Sequence, residues 1–266
     1  MRRIVTIRAS SLSDLFDCPA RWEAKHILGM RMPMGGAAAL GKAVHASTAV
    51  FDQSTIDSAG ITADEAAAAA VDSIHKPDEE TVWDEDFQPA AAESIALALH
   101  GRYCRDIAPK QVYRAVEVKC DRLEIEDLGI ALTGTVDRLH TNDAGDGITD
   151  LKTGKTAVSA DGTVSTKGHA YQLGVYELLA HAASGLNISA PAQIIGMQTG
   201  KTEKGQRIAI APVHDARAVL LGDEHQQGLL HTASNIVHSG AFFGNPRSML
   251  CSEKYCARYN KCSYRK

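Results

Sequence analysis

The spacing of apolar residues changes near Val112. Up to residue 107 apolar side chains recur at helical intervals; from Val112 they alternate with polar ones, and helical spacing returns near residue 168. Leu12, Leu15 and Phe16 share one face of a helix starting near Ser11, and Pro19 either kinks it or begins a second turn. Gly35 and Gly36 punctuate, and a helix is expected over 37–51. Thr62 and Glu65 form a T-x-x-E capping box ahead of an alanine-rich run to Ile74. Residues 77–87 read as an acidic loop, and Pro89 suits the first position of a helix ending near Ile107.

Val112, Val116, Val118 and Cys120 fall on one parity, with Glu117 and Lys119 on the other, which is a strand. Further strands are expected over 130–140 and 147–152, with turns at Gly129 and 142–147. A helix over 168–183, strands over 193–198 and 207–211, and one long helix over 215–238 complete the pattern; the tail beyond Gly240 reads as irregular. This order suits an α/β protein whose mixed central β-sheet is flanked by helices. The length fits a single domain over 1–266 with a helical insert at 51–110 and a cysteine-rich tail at 247–266.

Composition sharpens this picture only in part. The net charge of −4 does not favour nucleic acid, but the charge is unevenly spread. Residues 57–93 hold eleven acids against Lys76 alone, while 247–266 holds six bases against Glu253, and Arg2, Arg3 and Arg8 add to the basic start. That is either two solvated ends or a basic surface for phosphates opposite an acidic flank. No apolar core of a signal peptide follows Arg2 and Arg3, and no apolar run approaches the ~20 residues of a membrane span. The expected location is the cytoplasm, where six cysteines point to thiols or metal ligands rather than disulfides.

The three sequential strands carry the chemistry. Asp150 and Lys152 are two apart on one strand and share a face; Asp137 lies on the strand before, and Glu117 on the strand before that. Clustered acids repel unless a cation intervenes, and Mg²⁺ or Mn²⁺ takes such oxygen ligands while binding phosphates. Lys152 beside the ion brings positive charge to a phosphoryl transition state. A bare D-x-K is more often a surface ion pair, so its neighbours decide. His45 lies mid-helix, and His169, Gln172 and Tyr176 share one face of the helix after Asp150.

Five segments, in order, resemble the RecB-like branch of the PD-(D/E)XK nuclease superfamily. Residues 11–22, from Ser11 through Cys18-Pro19 to Arg21-Trp22, look like its S-x-L-x-x-F-x-x-C-P-x-R-W segment. Gly41 to His45 looks like G-x-x-x-H, Gly134 to Asp137 like G-x-x-D, Asp150 to Gly154 like D-x-K-T-G, and Gln172 to Tyr176 like Q-x-x-x-Y. The resemblance implies a restriction-endonuclease-like core. It implies metal ligation by His45, Asp137, Asp150 and the Leu151 carbonyl, with Lys152 catalytic. Gln172 and Tyr176 are implied to contact DNA or support the centre, and Glu117 is a further acid.

Cys18 stands near the start, and Cys251, Cys256 and Cys262 stand together as C-x4-C-x5-C. Four thiolates suit zinc or an iron–sulfur cluster. The layout resembles the [4Fe–4S] staple of AddB-like and CRISPR-associated RecB-like exonucleases, with zinc as the competitor. Cys104 and Cys120 fit no such set and read as buried thiols. The expected function is a Mg²⁺- or Mn²⁺-dependent exonuclease on single-stranded or frayed DNA ends, 5′→3′, serving recombination or repair, with a protein partner from that work. A non-catalytic DNA-binding module of the same fold, a structure-specific endonuclease and an RNA substrate stay open as alternatives.

Overall fold

Val5–Arg8 extend as strand β1, which the alternation pattern does not announce. The computed structural model describes residues 3–265; Arg2 and Lys266, counted above among the basic ends, lie outside the described residues. A 3-10 turn at Ala9–Ser11 leads into α1 (Leu12–Asp17), and Pro19 opens a separate helix, α2 (Pro19–His26), with Cys18 at the corner. Next come a two-residue strand β2 (Met34–Gly35) and α3 (Gly36–Ile56), which is longer than expected. The capping box at Thr62 and Glu65 is fully formed at the head of α4 (Ala63–His75). The expected acidic loop contains β3 (Thr81–Val82), paired in parallel with β2. Pro89 begins α5 (Pro89–Asp106).

Three long strands follow: β4 (Tyr113–Ile125), β5 (Ile130–Asn142) and β6 (Gly145–Gly154). Then come α6 (Ala170–Ser184), β7 (Ala192–Gln198) and β8 (Ile208–Val213). The single long helix expected over 215–238 is two helices, α7 (Ala216–Leu221) and α8 (Leu229–Ser239). Gly222 has φ +75°, and a Cβ on Gly228 would meet the Leu220 and Leu221 backbone at 2.2–2.4 Å. A tight loop held by the Asp223 carboxylate, which accepts from the amides of His225 and Gln226, joins them. Helical periodicity continues across such a loop by chance, so the pattern alone merges the two.

The main sheet is mixed, in the order β1-β5-β6-β7-β8, with β4 on the far edge of β5. β4 pairs antiparallel along nearly all of β5. The opposite edge of β5 is shared: β1 pairs in parallel with 130–133, and β6 pairs antiparallel with 138–142. Beyond Thr149, β6 leaves β5 and runs parallel to β7. β5 and β6 therefore form a fork, and residues 134–137 line its open edge.

Alternation sends side chains to two cores. Ile148, Ile194, Leu132 and Val136 pack with Leu12, Leu173 and Leu230 on one face. Leu151, Ile195 and Met197 pack on the other with Leu40, Val44, Ile74 and Leu99. The segment 51–110, expected as a helical insert, contributes Ile74, Ile95 and Leu99 to that second core together with α3. This is a restriction-endonuclease-like α/β fold, a mixed sheet between helical layers.

Candidate active site

Asp137 sits at the crotch of the fork. Its Oδ2 accepts a hydrogen bond of 2.9 Å from the backbone N–H of Leu151 and so bridges the parting strands. His45 approaches from α3: its Nε2 lies 3.0 Å from the Leu151 carbonyl, and its Nδ1 lies 3.5 Å from Asp137 Oδ2. When Nε2 donates to that carbonyl, Nδ1 faces the carboxylate with a lone pair, an arrangement a cation relieves. The approach depends on Gly41, one turn before His45. A Cβ there would lie 2.8 Å from Thr153 Oγ1 at the end of β6.

Glu117 completes a compact donor set. One donor atom each from His45, Glu117 and Asp137 lies within 4.8 Å of the others. The Glu117 backbone is left-handed, φ 49°, in the middle of β4. A non-glycine residue held there costs on the order of 1–3 kcal/mol, a strain that clusters at functional sites. Burial and the Asp137 charge raise its carboxyl above the usual range, against the pull of His45 and Arg138.

On the neighbouring strand, Asp150 is 1 % exposed and Lys152 Nζ lies 2.6 Å from its Oδ2. Lys152 is the close partner of this buried oxygen. Burial lifts the Asp150 carboxyl to about 6, with Lys152 pulling it down and Asp137 pushing it up. Lys152 donates to Gln172 Oε1 at 3.0 Å, and Gln172 Nε2 donates to the Tyr176 hydroxyl at 2.8 Å. Tyr176 lies over Gly134, where a Cβ would meet its ring at 2.8 Å. His169 is held neutral, down to about 4, by burial and by Lys152.

Behind the site lies a buried network that the sequence reading missed. Arg138, fully buried, donates to Asp52 at 2.7 Å, to the Asp137 carbonyl at 2.7 Å and to Thr48 at 3.2 Å. Asp52 also accepts from Tyr103 at 2.7 Å. The network ties α3 and α5 to the strand bearing Asp137, and so fixes His45 against it. Its one sequence signal is a charged residue inside an apolar strand; nothing in the pattern names its partner 86 residues away.

Of the residues expected to ligate metal, His45 and Asp137 come together with Glu117. Asp150 stands beside them, paired with Lys152, and the Leu151 carbonyl faces His45. Imidazole plus hard oxygens suit a divalent ion such as Mn²⁺ or Mg²⁺. Buried Asp150 gives such an ion a further anionic partner.

Cys18, Cys251, Cys256 and Cys262 line one cavity with Arg21, and all are free thiols. The tail bearing three of them is sewn to the α1–α2 corner. Asn245 donates to the Asp17 carbonyl and Ser248 to the Asp17 carboxylate, and Ala20 N–H donates to Phe243 O. Among the described residues no three of these sulfurs come within 4.8 Å of one another. Tetrahedral zinc with bonds of about 2.3 Å needs sulfurs about 3.8 Å apart. Cys104 is buried beside His100, its thiol pushed up to about 12 by burial. Cys120, expected to be buried, is half-exposed because its strand lies at the sheet edge.

The profile of the PD-(D/E)XK nuclease superfamily matches residues 6–265. Comparison with curated protein sequences returned no match. Among the described residues no helix is long and apolar enough to cross a membrane.

Proposed function

From the PD-(D/E)XK nuclease superfamily, to which this chain belongs, we infer a metal-dependent DNA nuclease that acts at strand ends. The observation that carries this reading is the fork, where His45, Glu117 and Asp137 converge beside Asp150 and Lys152. In this reading His45, Asp137 and Asp150 hold the ion, joined by Glu117. An ion bound there would supply Lewis-acid polarisation of the phosphate and a more acidic water. Lys152 supplies positive charge where the phosphoryl oxygens gain negative charge. Gln172 aims the ammonium, and Tyr176 fixes Gln172 in turn.

The finer reading is a 5′→3′ exonuclease on single-stranded or frayed ends, of the RecB-like branch, working in recombination or repair. It rests on the five ordered motifs and on the cysteine cavity. Four thiols around one cavity suit [4Fe–4S] or zinc, and the resemblance of the cysteine layout favours the cluster. End-labelled linear and circular single-stranded DNA, incubated with Mn²⁺, test it directly. Wild type should degrade only the linear form, releasing a 5′ label early, and Lys152→Ala should lose at least about a hundredfold in rate. Cutting of the circle overturns the exonuclease reading. Binding without any cutting overturns the enzyme reading in favour of a DNA-binding module.

A further inference from the structure

A second polar cavity, of about 400 Å³, opens beside the fork. Arg8, Ser10, Lys119, Thr133, Thr135 and Tyr176 line it. The sheet register assembles it: Arg8 at the end of β1 stands opposite Thr133, and Lys119 on β4 stands opposite Thr135. Thr135 precedes Asp137 by two residues and Lys119 follows Glu117 by two. Two strand residues span about 6.8 Å, so the cavity begins one step from the candidate metal centre. Tyr176 borders the cavity and, through Gln172, the catalytic lysine.

The lining is rich in donors that the protein leaves unused. None of the ion pairs among the described residues involves Arg8 or Lys119. An exposed guanidinium and ammonium facing one cavity repel each other unless an anion lies between them. With the hydroxyls of Ser10, Thr133, Thr135 and Tyr176 beside them, they match the oxygens of a phosphate, which the guanidinium grips with paired N–H groups. In a chain with net charge −4, such a patch draws a phosphate backbone locally.

We propose that this cavity binds a phosphate of the nucleic-acid strand adjacent to the one that is cleaved. The proposal rests on the nuclease reading. Consecutive phosphates of one strand are separated by a nucleotide's length of backbone, comparable to the offset of about 6.8 Å from the metal centre, so the bound phosphate lies one or two nucleotides from the cut. Arg8 and Lys119 set which phosphate enters the fork by holding its neighbour.

The test compares wild type with Arg8→Ala/Lys119→Ala, both substitutions being at exposed positions. Binding of a single-stranded oligonucleotide is measured in Ca²⁺ across a salt series, with cleavage in Mn²⁺ measured beside it. Loss of one phosphate contact should reduce the slope of log K against log salt by about 0.7. One uncharged methylphosphonate linkage is then moved along the strand. At one or two nucleotides from the cut it should weaken wild-type binding about tenfold, the scale of a lost charge-assisted contact, and leave the double variant indifferent. Matched strands ending in phosphate or hydroxyl identify whether the anion is an internal diester or a terminal phosphate. Equal slopes and equal methylphosphonate penalties in both proteins, with wild-type cleavage intact, overturn this proposal alone. A wild type that neither binds nor cuts overturns the nuclease reading and this proposal with it.

Discussion

At the scale of single residues, Glu117 is where folding and chemistry disagree. Its left-handed backbone strains β4, and its carboxylate joins His45 and Asp137. Glu117→Gly should release that strain, stabilising the metal-free protein by up to about 1 kcal/mol, seen as a higher melting temperature. The same variant should need at least about tenfold more Mn²⁺ for half-maximal cleavage, since one anionic ligand is gone. A lower melting temperature with unchanged Mn²⁺ dependence would refute both parts. The acid itself was legible in the sequence as a polar residue among valines. Its φ was not, because no local pattern encodes a strain that distant packing imposes. Asp137, Asp150 and Lys152 were legible because parity and motif agree, whereas the buried ion pair of Arg138 with Asp52 was not, since its partners belong to different elements.

At the scale of elements, α3 and α6 aim the site from opposite sides of the sheet. α3 delivers His45 with Gly41 packed close to Thr153, where a Cβ would lie 2.8 Å from the hydroxyl. Gly41→Ala should push α3 outward and cut activity about tenfold or more, as small misplacements do in active sites. Adding Thr153→Ala should restore much of that loss, measured as kcat/KM in both variants. No recovery would mean that the glycine serves something else.

In α6, Glu177 is buried near Arg217, and burial lifts its carboxyl from 4.5 to about 7. The folded protein then keeps a proton that the unfolded chain has released. Stability must therefore fall as pH rises from about 4.5 to 7. Glu177→Gln should flatten this slope: melting temperatures nearly equal at pH 4.5, the variant higher at pH 8. A parallel pair of pH profiles would sink the assignment. Elements were most legible where they are long. β1 escaped because four residues give only two periods of alternation and its partner lies far along the chain, and α7 and α8 merged because apolar residues keep a helical spacing across the loop between them.

At the scale of the whole molecule, the cysteine cavity joins the α1–α2 corner to the tail. Protein purified without oxygen should be brown, absorbing at about 400 nm as bound clusters do, with about four irons per chain. Cys256→Ser should bleach it and expose the tail to protease near Phe243. Colourless protein with one zinc per chain would overturn the iron–sulfur reading while leaving the nuclease reading intact.

The fork also has a mechanical side. β5 is the one spar shared by two plates, the first made of β1 and β4, the second of β6, β7 and β8. Between residues 133 and 138 no strand clamps the plates together along that edge. The Asp137–Leu151 hydrogen bond rivets the plates together at the crotch. Flexing of one plate against the other acts at the crotch where Asp137 meets the strand that carries Asp150. Stiffness here, set by the Arg138 buttress behind β5, is thus a tuning parameter for the spacing of the acids.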